Sequence, residues 1–522
     1  MSNDGEQRRV KQVRSAGLSA RGRILLPGAH APAIISARSA SAEELDAVLA
    51  IVAPPASAAA FRGLPESGRW RQLDARSPAR AGTVRSTVLS NPRHTLAVLG
   101  YLGRDASAFE RLALAGRMLK EAAARAPEVV ALAAPGSAST ARQGLEALLA
   151  AALAQAFALP SFRAPAREER HIRRIVLLGD TRIDTRYGAA VARGTNLARW
   201  LTALPPNVLD ARGYRQAITN LARRHALALR WWDERTLRRA GAHAFLAVAA
   251  GNAEGGAGIA HLRYRPARAR GARPDVALIG KGIVFDTGGV NLKTHRSMLD
   301  MHTDMAGSAV ALATLIALAE LRAPFAADAW LAITENHIGP RAYRPQEVVR
   351  AANGVTIQII HTDAEGRMVL ADTLALAART RPRLMIDFAT LTGACVYALT
   401  ERMSGVFSNR PALAAQLTEA GRLSGERVWG FPFESDYDAE LESKVADIVQ
   451  CALDGKGDHI LATRFLARFV PEEIPWAHVD LSSATRSGGL GHIATDVTGF
   501  GVRLALQLLL RQNVLQRLEP AR

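Results

Sequence analysis

The stretch Lys281-Gly-Ile-Val-Phe-Asp286-Thr-Gly-Gly-Val-Asn-Leu-Lys293, continued as far as Asp304, contains the residues around which the chain is organised. A second segment, His361-Thr-Asp363-Ala-Glu365-Gly-Arg367, follows further along. Carboxylates that converge in a dry pocket repel one another, so they need cations between them. Two divalent metals bridged by shared carboxylates meet that need and prepare hydrolysis by an activated water. The candidate residues are Asp286, Asp304, Asp363 and Glu365, with Lys281, Lys293 and Arg367 among them.

Composition indicates a globular protein with more than one core. The chain has 522 residues, of which 48% are apolar and 22% charged. Single cores stop growing at about 250–300 residues, so two or more are expected. The net charge of +18 comes mostly from arginines spread over both halves. Such a charge fits a solvated surface, and it also permits binding to nucleic acid or acidic membranes.

The number of cysteines and the length of the apolar runs indicate the cellular compartment of the protein. Cys395 and Cys451 are the only cysteines, so neither a disulfide framework nor a thiolate metal cluster is expected. Asp4 and Glu6 stand near the start without a long apolar run behind them, which argues against a signal peptide. No stretch reaches about 18 consecutive apolar residues, so no membrane span is expected. We therefore expect a soluble cytoplasmic protein without membrane contact.

Strands that alternate with helices predict an α/β fold with two three-layer α/β domains. The expected parts are a flexible basic tail (1–23), a smaller non-catalytic N-terminal domain (24–185) and a larger C-terminal catalytic domain (186–522). The larger domain is expected to have a central mixed sheet flanked by helices.

In the N-terminal domain, Ser41-Ala-Glu-Glu44 has the capping-box pattern and predicts a helix that continues to about Ala50. The other elements predicted there are strands at 94–101, 128–134 and 172–179, and helices at 106–125 and 140–157. No catalytic constellation is visible in this half.

The C-terminal domain is predicted to begin with a helix at 187–204. Further elements are a strand at 275–279 that ends before Gly280, a helix at 306–321, and strands at 327–334, 355–360 and 384–388. The strand at 355–360 would deliver Asp363 and Glu365, and a spacing of two puts both side chains on one face of a regular strand. Open α/β sheets place their ligands at such carboxyl ends.

The chemistry of these side chains favours a hard or borderline metal. Oxygen-rich ligand sets suit Mg, Mn or Zn. A lysine ligand would have to be a neutral amine, which burial near two dications favours. Lys293 is better suited to remain charged and stabilise a developing oxyanion, and Arg367 can hold an anion through two hydrogen bonds.

The chain resembles the leucyl aminopeptidase family of cytosolic di-metal exopeptidases. The family signature Asn-Thr-Asp-Ala-Glu-Gly-Arg-Leu appears here as His361-Thr-Asp-Ala-Glu-Gly-Arg-Met368. Further matching blocks occur at 280–289, 342–345 (Ala-Tyr-Arg-Pro), 389–394 (Ala-Thr-Leu-Thr-Gly-Ala) and 498–503 (Thr-Gly-Phe-Gly-Val-Arg). The likeness covers roughly 185–510 strongly, and the first domain only in its general α/β layout.

The resemblance implies a role for each matching position. The tighter metal would be held by Lys281, Asp286, Asp304 and Glu365. The more exchangeable metal would be held by Asp286, Asp363 and Glu365. Both are divalent, Mn²⁺ or Zn²⁺. Lys293 and Arg367 would be catalytic, with a bicarbonate held at Arg367 as general base. Met301, Thr390, Leu391 and Gly393 would line the cleft for peptide substrates. Because the family forms hexamers, the resemblance also implies that this chain forms a homo-hexamer.

Several positions depart from the family pattern. His361 replaces the usual Asn and is interpreted as a supporting residue rather than a metal ligand. Thr294 replaces a Pro, and Met301-His302-Thr303 replaces Met-Lys-Tyr. Asp480-Leu-Ser-Ser483 replaces Asp-Ile-Ala-Gly beside the side-chain pocket, which would make that pocket more polar. These departures concern specificity, since every metal and catalytic position is retained.

Two other enzyme classes fit poorly. A P-loop would need a Gly at Asp275 and a Ser or Thr at Gly282. The catalytic half also lacks the Gly-x-Ser-x-Gly elbow of nucleophilic hydrolases. The remaining alternative is a peptidase-fold scaffold or nucleic-acid-binding protein with little activity, which the net charge permits. Such a scaffold would not need seven polar site residues, each costly to bury.

Overall fold

A computed structural model of the chain describes residues 26–27, 31–76, 79–136, 138–163, 171–252, 255–269 and 273–518. The basic tail predicted at 1–23 lies outside these residues. The predicted division into domains at 185 remains a prediction, although the strands form separate sheets on either side of that position.

The first sheet has six strands in the order β1-β6-β5-β2-β4-β3. Their bounds are β1 Ala33–Ala37, β2 Ala47–Val52, β3 Val84–Val88, β4 Leu96–Tyr101, β5 Val129–Ala133 and β6 Arg174–Leu178. All neighbours are parallel except the edge strand β3, which is antiparallel to β4. Helices Ala108–Ala123 and Ala138–Gln155 pack on one face, and helix Ser67–Ala75 packs on the other. The predicted three-layer arrangement is confirmed.

The helix predicted from Ser41 to Ala50 is wrong. The Ser41 hydroxyl accepts a hydrogen bond from the Glu43 N–H, but it caps only a short 3-10 turn, Ala42–Glu44. The chain then enters β2, whose six residues are all buried between β4 and β5. Pairing on both edges of a continuous apolar, partly β-branched run outweighs the local helix-start signal.

The larger sheet has eight strands in the order β15-β14-β17-β13-β9-β10-β8-β7, and a separate small sheet has the order β11-β12-β16. The strands are β7 Ala228–Asp233, β8 Gly258–Tyr264, β9 Val276–Asp286, β10 Ala327–Asn336, β11 Val348–Arg350, β12 Thr356–Gln358, β13 Leu384–Ala389, β14 Ser404–Ser408, β15 Val428–Gly430, β16 Ile448–Val449 and β17 Trp476–Asp480. Four central neighbours, β17, β13, β9 and β10, are parallel, whereas β8 and β14 join them antiparallel. The predicted mixed sheet is confirmed.

Helices cover both faces of this sheet. They are Thr185–Thr202, Ala211–Arg224, Glu234–Arg239, His243–Ala249, His295–Met298, Ala306–Leu321, Glu365–Ala378, Gly393–Leu399, Pro411–Ser424, Asp458–Ala467, Val502–Leu506 and Val514–Arg517. One buried cluster contains the side chains of helix Ala306–Leu321, and the cluster on the other face contains those of helix Glu365–Ala378. The part of the chain that forms the larger sheet is therefore also a three-layer unit.

Helix Ala306–Leu321 is apolar on all sides because it is enclosed on all sides. Its first thirteen residues are all buried. The segment His295–Leu321 is long and apolar enough to cross a membrane by composition, but 83% of its most apolar window is buried inside the protein. These are the properties of a central core helix.

Two predicted strands differ from the structure. The strand that starts at Val276 does not stop before Gly280 but continues to Asp286, paired with β10 on one side and β13 on the other. Glycine at 280 has a packing reason, since a Cβ there would lie 2.7 Å from the Gly307 carbonyl oxygen. The strand predicted at 355–360 is shorter in the structure, where it is β12 (Thr356–Gln358) and belongs to the small sheet.

Gly280→Ala is expected to lower the free energy of unfolding by about 3 kcal/mol, because backbone rather than a mobile side chain blocks the added methyl. Urea denaturation of the full chain measures this loss. Gly68→Ala is the matched control: it lies in helix Ser67–Ala75 with open space around it, so alanine should leave stability unchanged or slightly raised. Equal stability of the two variants would contradict the close packing of helix Ala306–Leu321 on β9.

Candidate metal centre

The parallel strands of the larger sheet place four polar residues at one edge. Asp286 is the last residue of β9, Asn336 of β10 and Asp480 of β17, while Thr390 follows β13 directly. Asn336 is the register partner of Asp286. Because neighbouring parallel strands end on the same side, these side chains share the carboxyl edge of the sheet.

Asp363 and Glu365 join this group, but not from a strand as predicted. Asp363 lies in a turn, and Glu365 is the first residue of helix Glu365–Ala378. Thr362 anchors the turn, since its hydroxyl donates to the Gly288 carbonyl at 2.7 Å. Carboxylate oxygens of Asp286, Asp363 and Glu365 consequently lie within 4.8 Å of one another. The predicted convergence of these acids is present, whereas the strand geometry given for it was wrong.

Two lysines stand between the acids. Lys281 Nζ lies 2.8 Å from Asp304 Oδ1 and 3.0 Å from Glu365 Oε1. Lys293 Nζ lies 2.9 Å from Asp286 Oδ2 and 2.5 Å from Asp363 Oδ1. Each ammonium therefore bridges two carboxylates that would otherwise face each other.

Burial and crowding change the proton affinities of these groups. Burial, opposed by Lys281 and reinforced by the other carboxylates, raises the pKa of Asp304 to about 8. Burial together with neighbouring acids likewise raises the pKa of Glu365 to about 7 and that of Asp363 to about 6. Burial alone would lower the pKa of Lys281, but its carboxylate neighbours outweigh it and raise this pKa, so the lysine is an ammonium in this arrangement. As a metal ligand it would have to lose that proton.

The side chains fit a divalent cation. Asp304 Oδ2 and Glu365 Oε2 are buried and have no hydrogen-bond partner among the residues that the structure describes. A buried acceptor without a partner is costly, and a cation would relieve that cost. The surrounding donors are carboxylate oxygens and one amine, a set suited to Mg, Mn or Zn.

Asn336 supports the site, although the sequence analysis did not single it out. Its amide Nδ2 donates to Asp286 Oδ1 at 2.8 Å and to the Thr362 carbonyl at 3.1 Å. It therefore fixes the aspartate and the turn before Asp363 together. Its position at the end of the strand beside the one that ends in Asp286 was the signal that could have revealed it.

Asp480 supports the loop after β13. Its Oδ1 accepts the Leu391 N–H at 3.0 Å, and its Oδ2 accepts the Thr392 hydroxyl at 2.7 Å. The preceding residue, Thr390, contacts the acid–lysine cluster directly, since its hydroxyl donates to Asp304 Oδ1 at 2.7 Å and its carbonyl accepts from Lys281 at 2.9 Å. The loop Thr390–Thr392 is thus held by Asp480 on one side and by Asp304 and Lys281 on the other.

The four residues expected to line a substrate cleft are all accessible: Met301, Thr390 and Leu391 are partly exposed and Gly393 is exposed. Met301 begins the short turn that leads to Asp304, and Gly393 begins helix Gly393–Leu399. Their role in substrate binding remains a prediction.

Arg367 is paired with an acidic side chain, and the bicarbonate expected at this position remains a prediction. Its Nη2 donates to both carboxylate oxygens of Asp458 at 2.8 Å, and its Nη1 donates to the Gln450 carbonyl at 3.3 Å. His361 lies nearby and its Nδ1 accepts the Asp363 N–H at 3.2 Å, which agrees with its interpretation as a supporting residue.

The C-terminal part of the chain matches a known family. The sequence profile of the cytosol aminopeptidase family, catalytic domain, matches residues 196–506. The chain belongs to this family, which confirms the resemblance to leucyl aminopeptidases.

Individual relatives support the assignment. A probable cytosol aminopeptidase of Syntrophotalea carbinolica is 41% identical over 323 residues, which are 61% of this chain and 63% of that protein. A probable cytosol aminopeptidase of Stutzerimonas stutzeri is 39% identical over 362 residues, which are 68% of this chain and 71% of that protein. The match to the first of these relatives thus spans less than two thirds of its length.

A solved structure extends the likeness to most of the chain. The bottromycin maturation enzyme BotP in complex with Mn superposes with a TM-score of 0.75 at 29% sequence identity. The superposition covers 90% of this chain and 99% of that one, so it includes the N-terminal sheet as well.

Asp286→Asn is expected to weaken Mn²⁺ binding about tenfold or more, because it removes a charge from the centre of the carboxylate group. Isothermal titration of metal-stripped protein measures the effect. Glu335→Gln is the matched control on the same strand as Asn336, since Glu335 binds His337 and the Ala211 N–H instead of this cluster. Unchanged affinity in Asp286→Asn would contradict the assignment of the centre.

The metal-free protein is expected to lose stability as the pH rises from 6 to 8. The pKa values are about 6 for Asp363, about 7 for Glu365 and about 8 for Asp304. All three lie above the usual carboxyl value of about 4. The folded state therefore binds more protons than the unfolded state, and this stabilisation disappears as they dissociate. Bound Mn²⁺ should abolish the decline, and its affinity should increase over the same range because protons compete with it. Denaturation at several pH values, with and without metal, checks both expectations, and a stability that rises from pH 6 to 8 without metal would refute them.

Proposed function

We propose that the chain is a metal-dependent aminopeptidase that removes the N-terminal residue from peptides through a water activated by two metals. The observation that carries the proposal is the group of four carboxylates and two lysines at the carboxyl edge of the larger sheet. Membership of the cytosol aminopeptidase family supports it, as does the similarity to an enzyme solved in complex with Mn.

The proposed ligands fall into two overlapping sets. One metal is held by Lys281, Asp286, Asp304 and Glu365, and the other by Asp286, Asp363 and Glu365. When bound, such metals supply Lewis acidity and lower the pKa of water to near neutrality. Mn²⁺ and Zn²⁺ are the proposed ions, since the donor set suits both.

Lys293 is the lysine available to substrate. Its side chain is 14% exposed, whereas that of Lys281 is 4% exposed. Burial would lower the pKa of Lys293, but Asp286 and its neighbouring carboxylates raise it overall, so the residue remains charged. An ammonium held at the open side of the cluster is placed to stabilise the negative charge that develops on the scissile carbonyl oxygen.

The residue removed is proposed to be leucine or another largely neutral residue. The four residues expected to line the cleft, Met301, Thr390, Leu391 and Gly393, are at least partly exposed, and none of them carries a charge. At the nearby Ser482 the hydroxyl is already engaged, because it donates to Cys395 Sγ at 3.0 Å. This contact reduces the polarity that the serine would otherwise add to the side-chain pocket.

The proposal is tested with leucine-, methionine- and arginine-p-nitroanilide, using metal-stripped protein to which Mn²⁺ or Zn²⁺ is restored. We expect turnover that depends on metal and fails with N-acetyl-leucine-p-nitroanilide, because an aminopeptidase needs the free amine. Lys293→Met should lose about a hundredfold or more in kcat.

Metal content of Lys293→Met, measured by mass spectrometry, should remain at the parent level, which separates loss of catalysis from loss of metal. Folded, metal-loaded parent protein without turnover on any free-amine substrate would refute the proposal. Salt-dependent retention of duplex DNA by such an inactive protein would then favour the scaffold alternative.

A further inference from the structure

The neighbourhood of Arg367 contains an ion pair that the proposed reaction does not yet use. Arg367 is 3% exposed and lies one helical half-turn beyond Glu365 in helix Glu365–Ala378. Its partner Asp458 comes from the start of another helix, Asp458–Ala467, and its side chain is 26% exposed. A buried guanidinium thus meets a carboxylate that borders solvent.

The pairing uses most of the donors that Arg367 has. Nη2 forks to both oxygens of Asp458, and Nη1 is occupied by the Gln450 carbonyl. Nε is the one guanidinium nitrogen without a partner among the described residues. Planar anions bind arginine best through two parallel N–H donors. No such free pair remains for a second anion.

The charge of Asp458 also makes the binding of a second anion at Arg367 unfavourable. A buried cation is tolerated when a hydrogen-bonded anion neutralises it, and Asp458 fulfils that condition for Arg367. With the pair formed, the electrostatic attraction for an additional anion from solution is largely cancelled.

The pair also lies beside the metal centre. Helix Glu365–Ala378 carries both Glu365 and Arg367. His361, which supports the turn of Asp363, lies within electrostatic range of Lys293, Arg367 and Asp458. The ion pair of Arg367 and Asp458 therefore lies within electrostatic range of the turn that carries Asp363.

We propose that Asp458 is the resident anion of this site. As a positioning residue it holds the Arg367 guanidinium and occupies the place where a carbonate-like anion from solution would otherwise bind. The inference rests on the proposed peptidase function and deepens it, because it makes turnover independent of dissolved bicarbonate.

The kinetic test uses the metal-loaded full chain in carbonate-free buffer with and without added bicarbonate. The parent rate should change less than about twofold, whereas Asp458→Gly should lose about tenfold or more in kcat and recover when bicarbonate is added. Asp458→Asn, which keeps the shape but not the charge, should also lose rate and recover less. Strong stimulation of the parent by bicarbonate would overturn the proposal.

A binding test does not depend on turnover. Titration with ¹³C-bicarbonate, followed by NMR, should show no site in the parent and one site in Asp458→Gly. If Asp458→Gly is folded, as judged by circular dichroism, yet neither binds bicarbonate nor regains rate, Asp458 has only a structural role and the proposal fails. Loss of all peptidase activity in the parent would refute the proposed function, while the binding test would still decide the role of Asp458.

Asp438→Asn is the matched control. Asp438 forms the same kind of two-oxygen pair with Arg464, at 2.6 and 2.7 Å, and Arg464 lies on the same helix as Asp458. Removing this charge should create neither bicarbonate binding nor bicarbonate dependence. A similar response in both variants would show that any broken arginine pair produces the effect, which would overturn the specific role of Asp458.

Discussion

The repulsion among four carboxylates, three of them buried and one half-buried, is the constraint on which the larger sheet and its helices depend. Two like charges 4 Å apart repel by about 4 kcal/mol at an intermediate dielectric, so the cluster is costly unless cations separate its members. Lys281 and Lys293 neutralise two of the four negative charges and leave two. Burial, together with these remaining charges, raises the pKa values of Asp304, Asp363 and Glu365, so protons compete with a dication for the same oxygens.

Holding such a cluster together requires rigid supports on several sides. The parallel strands bring Asp286 and Asn336 to one edge, and Asn336 ties Asp286 to the turn before Asp363. Tyr343 adds a second bond to that turn, since its hydroxyl donates to the Thr362 carbonyl at 2.8 Å. Beneath them, the backbone of helix Ala306–Leu321 lies so close to β9 that Gly280 admits no side chain. The close helix–sheet contact and the polar supports together oppose the spreading that electrostatic repulsion favours.

The sequence predicted the α/β architecture and the residues of the site. It predicted less well which local elements carry those residues and which side chains support them. Alternating strands and helices were sufficient for the α/β fold. The convergence of Asp286, Asp363 and Glu365 was also predicted, but the strand spacing given as its cause was wrong, because Glu365 begins a helix. The helix expected at 41–50 is instead strand β2, because pairing with two neighbours outweighs a capping signal that extends over four residues. The supporting contacts of Asn336 and Asp480 were not predicted, because their partners are distant in sequence and spacing along the chain carries no record of such contacts.

The anionic partner of Arg367 could not be predicted from the sequence motif that contains this arginine. The eight-residue signature identifies the arginine and its place beside Glu365, but not the anion that it meets. That anion comes from Asp458, which lies in a separate segment and reaches the guanidinium only through the packing of two helices. Arg464 and Asp438 form a pair of the same chemistry, yet away from the carboxylate cluster. The consequence of an ion pair depends on its neighbours. Arg367 and Asp458 lie close to the turn that carries Asp363, where a resident carboxylate determines which anions the site admits. The second pair joins helix Asp458–Ala467 to the 3-10 segment Ser435–Leu441.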